Sequence, residues 1–216
     1  MEIEQAVARH YAHGSLEETI LNALAAAGKD VSHLTPKDLA PVDEFHIGGR
    51  QATIAFAEQF CPRSGMRLLD VGCGLGGAAR YFAHEHGCRV TGIDLSDEYV
   101  NVANALAARV GLDERVSCEL GSALALPFEP GSFDGAYMFH VGMNIENKAK
   151  LFAEVRRVLA PSGLFGIYDV MRIAAHVRCP RLRLLAHRDL SSPPARAHRA
   201  LPHRADPPCD LARTHA

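Results

Sequence analysis

The chain has 216 residues, 48% of them hydrophobic, enough for one α/β core with a small appended segment but hardly for two full domains. A formal net charge of −2 and an isoelectric point near 6.6 supply no global basic field, so nucleic acid and anionic membranes are disfavoured and a small or neutral partner is favoured. The start Met1-Glu2-Ile3-Glu4-Gln5 lacks a signal-peptide layout and no apolar run approaches the roughly 20 residues of a membrane-spanning helix, which leads to the expectation of a cytoplasmic protein.

Along the chain, Ala6 to Tyr11 and Ser15 to Ala27 have helical patterns, the second opening on Ser15 with Glu18 three places later as a capping box. Ser32 to Pro41 carries two prolines and is expected to be a loop, and Gly48-Gly49 then opens a helix from Arg50 to Phe60. Residues 1–48 are expected to form a helical cap. From Met66 strands and helices alternate, the pattern of right-handed βαβ units on a parallel sheet. The expected strands are Arg67 to Val71, Arg89 to Ile93, Val116 to Leu120, Phe133 to Phe139 and Leu164 to Asp169. Between them lie the helices Gly77 to Glu85, Asp97 to Val110 and Asn147 to Leu159, the last followed by the turn Pro161-Ser162-Gly163. Residues 49–172 thus form a doubly wound domain with at least five parallel strands. Six scattered cysteines without a CxxC pair or Cys/His ligand spacing are read as reduced thiols, with no metal site.

Past Met171 the composition changes. Residues 173–216 hold half of the prolines, eight arginines against three aspartates, and no glycine, lysine or glutamate, which is not core material and is expected to be disordered. Two origins fit this segment: a basic interaction tail, or translation of GC-rich coding sequence out of frame, which yields Arg, Ala, Pro and His together. The composition favours the second.

The run Leu68-Leu69-Asp70-Val71-Gly72-Cys73-Gly74-Leu75-Gly76-Gly77 carries the chemistry. Gly72, Gly74 and Gly77 satisfy G-x-G-x-x-G, a pattern shared by dinucleotide sites. Asp70 separates the alternatives. At the end of the first strand a carboxylate repels a pyrophosphate but attracts an ammonium such as that of the methionine part of S-adenosylmethionine (SAM). The second strand ends in Asp94, 22 positions after Gly72, the spacing at which a carboxylate accepts hydrogen bonds from both ribose hydroxyls. Ser96 or Asp97 would cap the following helix better than Asp94. A third element is Gly121-Ser122-Ala123-Leu124-Ala125-Leu126-Pro127-Phe128, followed by Ser132-Phe133-Asp134.

In order and spacing these elements, from about Gly49 to Arg172, resemble a class I, Rossmann-like SAM-dependent methyltransferase. The resemblance is strongest to the type 11 small-molecule branch that includes ubiquinone/menaquinone C-methyltransferases and sarcosine/dimethylglycine N-methyltransferases. Phe45-His46-Ile47-Gly48-Gly49 is similar to the cap of the latter group. The resemblance implies SAM as cofactor, held by Asp70, Gly72, Cys73, Gly74, Gly76, Asp94, Leu95, Ser122 and Ala123. Ser122 stands where the family usually has an acid for the adenine amine, which leaves the Ala123 amide to pair with the ring. It also implies C-terminal strands after Asp169, which this chain is expected to be missing because its sequence shows no convincing strand there.

Methyl transfer is an in-line displacement that chiefly needs alignment and exclusion of water, with a base where the acceptor must lose a proton. His140, at the end of the fourth strand, is the candidate base. Tyr11, His46, Met143 and Asn144 are candidates for contact with a small-molecule acceptor, and Asp169 either approaches the site or caps a turn. No Asn-Pro-Pro-Tyr-like tetrad follows the fourth strand, so a macromolecular acceptor is not expected. Two rivals are a SAM-binding remnant without turnover, suggested by the tail, and an NAD(P)-dependent oxidoreductase, disfavoured by Asp70.

Overall fold

A computed structural model describes residues 16–170 and the backbone of residues 183–184, and the statements below concern those residues. Three helices come first: α1 (Leu16–Ala26), α2 (Pro36–Asp43) and α3 (Gly49–Phe60). Then follow β1 (Arg67–Val71), α4 (Gly77–His86), β2 (Arg89–Asp94), α5 (Asp97–Arg109), β3 (Val116–Leu120) and β4 (Phe133–Phe139). A single 3-10 turn (Gly142–Asn144), α6 (Lys148–Val158), β5 (Leu159–Tyr168) and β6 (Arg183–Leu184) complete the order.

The sheet runs β3-β2-β1-β4-β5-β6 and every pairing is parallel. After β1 the chain builds outward through β2 and β3, then returns to lay β4 on the other side of β1. The strand order therefore reverses between β1 and β4, and a crevice opens beyond their carboxyl ends. Alternation along β4 sends Tyr137 and Phe139 to one face and Ala136 and Met138 to the other. On the first face Phe56 and Phe60 of α3, Phe82 of α4, Tyr137 and Phe139 form one aromatic cluster, with Phe82 and Tyr137 stacked at 4.6 Å between centroids. Burial of each phenylalanine there contributes about 1.5–3 kcal/mol. Gly135 and Gly166 make room for it: a side chain at either would collide with Phe60 or Phe56. On the second face α6 buries Leu151, Val155 and Val158 against Leu69, Val71 and Ile167. A third cluster ties α1 and α2, through Ile20, Leu24 and Leu39, to Leu75 and to Val102 and Leu106 of α5.

Four expectations change. The proline-bearing segment is helical: Thr35 caps α2 in a reciprocal box with Asp38, and Pro36 sits in the first turn, where its missing N–H costs nothing. The signal was present in Thr35-Pro36-Lys37-Asp38, and the second proline, Pro41, concealed it. Leu159 ends no helix but starts β5, where four residues, 160–163, oppose Asp134 alone between the pairs Phe133–Leu159 and Gly135–Leu164, so the expected turn is a bulge inside a strand. A short sixth strand does follow Asp169, pairing Gly166 with Arg183 and Ile167 with Leu184. Cys61 is disulfide-bonded, against the expectation of six reduced thiols, whereas Cys73, Cys88 and Cys118 are free; spacing along the chain does not tell which thiols meet in space. The Ala6 to Tyr11 helix, Ser15 and nearly all of the Arg/Pro/His-rich segment lie outside the described residues. No helix among those described is long and apolar enough to cross a membrane.

Candidate active site

A cavity of about 940 Å³ occupies the crevice at the strand ends. Its floor is the loop between β1 and α4. Gly72, Gly74 and Gly76 all hold positive φ (74°, 53° and 73°), a conformation that side chains disfavour, and together they turn the chain from strand to helix within five residues. The turn is fixed by backbone bonds, the Gly72 and Cys73 amides donating to the Ile93 carbonyl at 2.8 and 3.1 Å. The three glycines differ in purpose. A side chain at Gly72 would strike Val141, and one at Gly76 would crowd Arg80 and Ala103, whereas one at Gly74 would meet nothing within 4 Å. Gly74 borders open space. A side chain at Gly76 would press on Arg80 and Ala103, so this glycine also has a packing reason.

Asp70, at the end of β1, is 2% exposed, and its Oδ2 is buried with no hydrogen-bond partner. Burial pushes its carboxyl up to about 8; the nearby Tyr137 hydroxyl opposes the rise, although the two do not meet in hydrogen-bond geometry, and the charge of Asp94 adds to it. Asp94 ends β2 as expected. Its Oδ2 accepts from the Gly74 amide at 2.9 Å and its Oδ1 from the Ser96 amide at 3.0 Å, while Ser96 itself caps α5 by accepting from Tyr99 N–H. Burial raises the Asp94 carboxyl despite these bonds. Each of its oxygens keeps a lone pair for a further donor. Cys73, Leu95, Ser122 and Ala123 also line the cavity. The Ser122 hydroxyl accepts from the Leu124 amide at 3.1 Å, and contact with Cys118 together with burial holds the Cys73 thiol well above its ordinary range. Arg157 grips the Leu126 and Phe128 carbonyls at 2.8 and 2.6 Å, so that stretch is structural.

The opposite wall comes from the cap and from the chain after β4. His140 lines the cavity with its backbone in the left-handed region, φ 54°, held by its amide to the Tyr168 carbonyl at 2.8 Å. A non-glycine residue kept there stores about 1–3 kcal/mol and points to a functional position. Val141, Met143 and Asn144 continue this wall. Asp169 caps the 3-10 turn, accepting from the Met143 amide at 3.0 Å and the Val170 amide at 2.8 Å, and it is not among the cavity residues. His46 stacks on Phe139 at 4.8 Å and stands 6.2 Å from the His140 ring. Its Nε2 lies 3.1 Å from Thr53 Oγ1, which donates to Glu44 Oε2 at 2.8 Å, and burial lowers its affinity for a proton. Tyr11 lies outside the described residues.

Sequence reasoning missed Asp43 and Glu44, which line the cavity from the end of α2. Asp43 is paired with Arg80, both side chains fully buried, while Glu44 is paired with Arg50. Asp43 Oδ1 remains unpartnered, and burial outweighs Arg80 to raise its carboxyl to about 6. Among the described residues no Lys or Arg lines the cavity and no group of His, Cys, Asp and Glu is arranged to hold a metal ion.

Residues 69–167 match the methyltransferase domain family. Among curated relatives, a sterol 24-C-methyltransferase of Gibberella zeae is 36% identical over 107 residues, covering 50% of this chain and 28% of that protein. Ajmaline N-methyltransferase of Rauvolfia serpentina is 32% identical over 162 residues, covering 70% of this chain and 50% of that one. Among solved structures, the Haemonchus contortus phosphoethanolamine N-methyltransferase 2, in complex with phosphomonomethylethanolamine and S-adenosylhomocysteine, has a TM-score of 0.54 at 35% identity, with 57% of this chain and 29% of that chain covered. The chain spans less than a third of the length of the first curated relatives it matches. Over residues 69–167 the family match, the sheet order and the glycine loop together support a class I, Rossmann-like SAM-dependent methyltransferase domain. The residues present fit the cofactor in two respects: SAM brings an ammonium for the orphaned Asp70 oxygen and carries no phosphate, and Gly74 borders open space.

Proposed function

We propose that the chain transfers the methyl group of SAM to a small-molecule acceptor, and that the carrying observation is the buried, unpartnered Asp70 Oδ2 on the cavity wall. Bound there, the cofactor supplies an electrophilic methyl group on a sulfonium. Asp70 takes the methionine ammonium, whose charge draws the carboxyl into its ionised form. Asp94 accepts from the ribose hydroxyls, with Leu95 beside it and Cys73 at the floor. Ser122 and the Ala123 amide face the adenine edge. This arrangement leaves the His46, His140, Met143 and Asn144 wall for the acceptor, with Tyr11 as a further candidate. His140 takes a proton where the acceptor must lose one.

Titration calorimetry with SAM, S-adenosylhomocysteine and NAD tests the cofactor assignment. Binding of the first two with none of NAD is expected; NAD binding alone overturns it. Release of S-adenosylhomocysteine over a panel of small acceptors then tests turnover, and complete silence with intact cofactor binding favours a remnant without activity. Replacement of His140 by Gln should lower kcat at least a hundredfold while leaving S-adenosylhomocysteine affinity within twofold.

A further inference from the structure

We infer that the acceptor is an apolar amine carrying neither phosphate nor carboxylate, a refinement that rests on the methyltransferase reading above. Five carboxylates line the cavity, Asp43, Glu44, Asp70, Asp94 and Glu146, and no lysine or arginine does so among the described residues. The nearest cations are already engaged. Arg50 stands behind Glu44, and Arg80 is completely buried between Asp43 and the Ala103 carbonyl. The Lys148 ammonium donates to the Gly142 and Ile145 carbonyls. Among the described residues no lysine or arginine is thus left to meet an anionic group on the acceptor in addition to the cofactor's own carboxylate, and a desolvated unpaired anion costs several kcal/mol. The opposite charge is provided for, because Asp43, apart from the Asp70 oxygen given to the cofactor, keeps a buried oxygen without a partner.

The charge balance of the transfer points the same way. The amine lone pair forms the new N–CH3 bond as the S–CH3 bond breaks, with its electron pair left on sulfur. Positive charge therefore passes from sulfur to nitrogen and stays within reach of the carboxylates. An amine held as its ammonium gives up one proton to His140 or to water beforehand, which frees the lone pair and leaves the methylated product cationic. A phenolate or carboxylate nucleophile would annihilate that charge and leave Asp94 and Glu146, which have no arginine partner, without a cation. The apolar part of the acceptor is matched by the rim, where Phe45 and Met143, both cavity-lining, are 69% and 52% exposed and the neighbouring Ile47 is 62% exposed.

The test uses the full chain saturated with S-adenosylhomocysteine and titrated with 2-phenylethylamine and tryptamine, with their carboxylated counterparts phenylalanine and tryptophan, and with phosphoethanolamine. Each amine is expected to bind at least tenfold tighter than its carboxylated counterpart, and phosphoethanolamine not at all. Equal or tighter binding of the carboxylated or phosphorylated compounds overturns the inference, as does failure of both amines to bind a protein that takes up S-adenosylhomocysteine. Failure to take up S-adenosylhomocysteine overturns instead the reading beneath it. Glu146→Lys should narrow the preference for amine over amino acid to below threefold with S-adenosylhomocysteine affinity unchanged; an unaltered ratio counts against the charge argument.

Discussion

From Gly72 to Gly77 the cavity wall is backbone: glycines at positive φ, amides bonded to the Ile93 carbonyl, and Asp94 tied to the amides of Gly74 and Ser96. From Asp43 to His46 the wall is side chain, made of two ion pairs and a stacked histidine. The first construction needs a handful of residues close together in sequence. The second needs partners 37 residues apart, Asp43 with Arg80, and exists only once α2 has docked on α4. A wall of backbone is hard to retune without losing the turn, whereas a wall of side chains can be altered one residue at a time. That is the division expected of a shared cofactor and a particular acceptor.

The largest effect should come from breaking the cap-side wall at its anchor. Asp43→Ala leaves Arg80 buried without its partner and should destabilise the fold by about 3–5 kcal/mol, read as a lower midpoint in thermal or urea unfolding. A loss below about 1 kcal/mol would mean that the cap and the glycine loop are independent. Next comes a pair of glycine substitutions. Gly72→Ala meets Val141 and an unfavourable φ, so about 2–3 kcal/mol of stability should be lost. Gly74→Ala meets only the φ term, about 1–2 kcal/mol, and its main effect should be on S-adenosylhomocysteine affinity. Equal binding losses in the two variants would erase the distinction between turn and cradle.

Asp70→Asn should weaken S-adenosylhomocysteine about tenfold, equivalent to about 1.4 kcal/mol. It should also change the pH profile. With its carboxyl raised to about 8, folded Asp70 keeps a proton that the unfolded chain releases above about pH 4. Its contribution to stability is therefore complete in acid and falls as pH rises towards 8, while cofactor affinity rises over the upper part of that window as the carboxyl ionises. Asp70→Asn should flatten both slopes between about pH 6 and 8; unfolding midpoints across pH read the first and calorimetry the second. The smallest effect is expected of His140→Gly, which relieves the left-handed backbone and should gain about 1 kcal/mol while abolishing any proton-transfer role. A loss of stability instead would show that the ring's packing against His46 and Tyr168 outweighs the strain.

The β/α alternation was legible because each strand is a short apolar run and each helix an amphipathic one. Every expected strand from Arg67 to Phe139 lies within a residue of its observed bounds. The place of Asp70 and Asp94 at strand ends on the cavity wall was legible for a related reason, since acids at the ends of consecutive strands have their positions set by the strands themselves. Helix α2 was not read, because Pro41 outweighed the Thr35-Pro36-Lys37-Asp38 start signal and tertiary packing of Leu39 tolerated the proline. Spacing showed which glycines form the turn, but not that a side chain at Gly72 would strike Val141 while one at Gly74 would meet open space.

What the sequence by itself determined is the class of domain and the glycine turn at the cavity floor, because glycines at fixed spacing and acids at strand ends act through local backbone geometry. Only the tertiary structure decided that Asp43 and Glu44 form a wall beside that floor, that the nearby arginines are already engaged behind them, and that among the described residues the cavity offers carboxylates without a free lysine or arginine. Those facts depend on long-range packing, and it is packing that determines which charges a ligand meets.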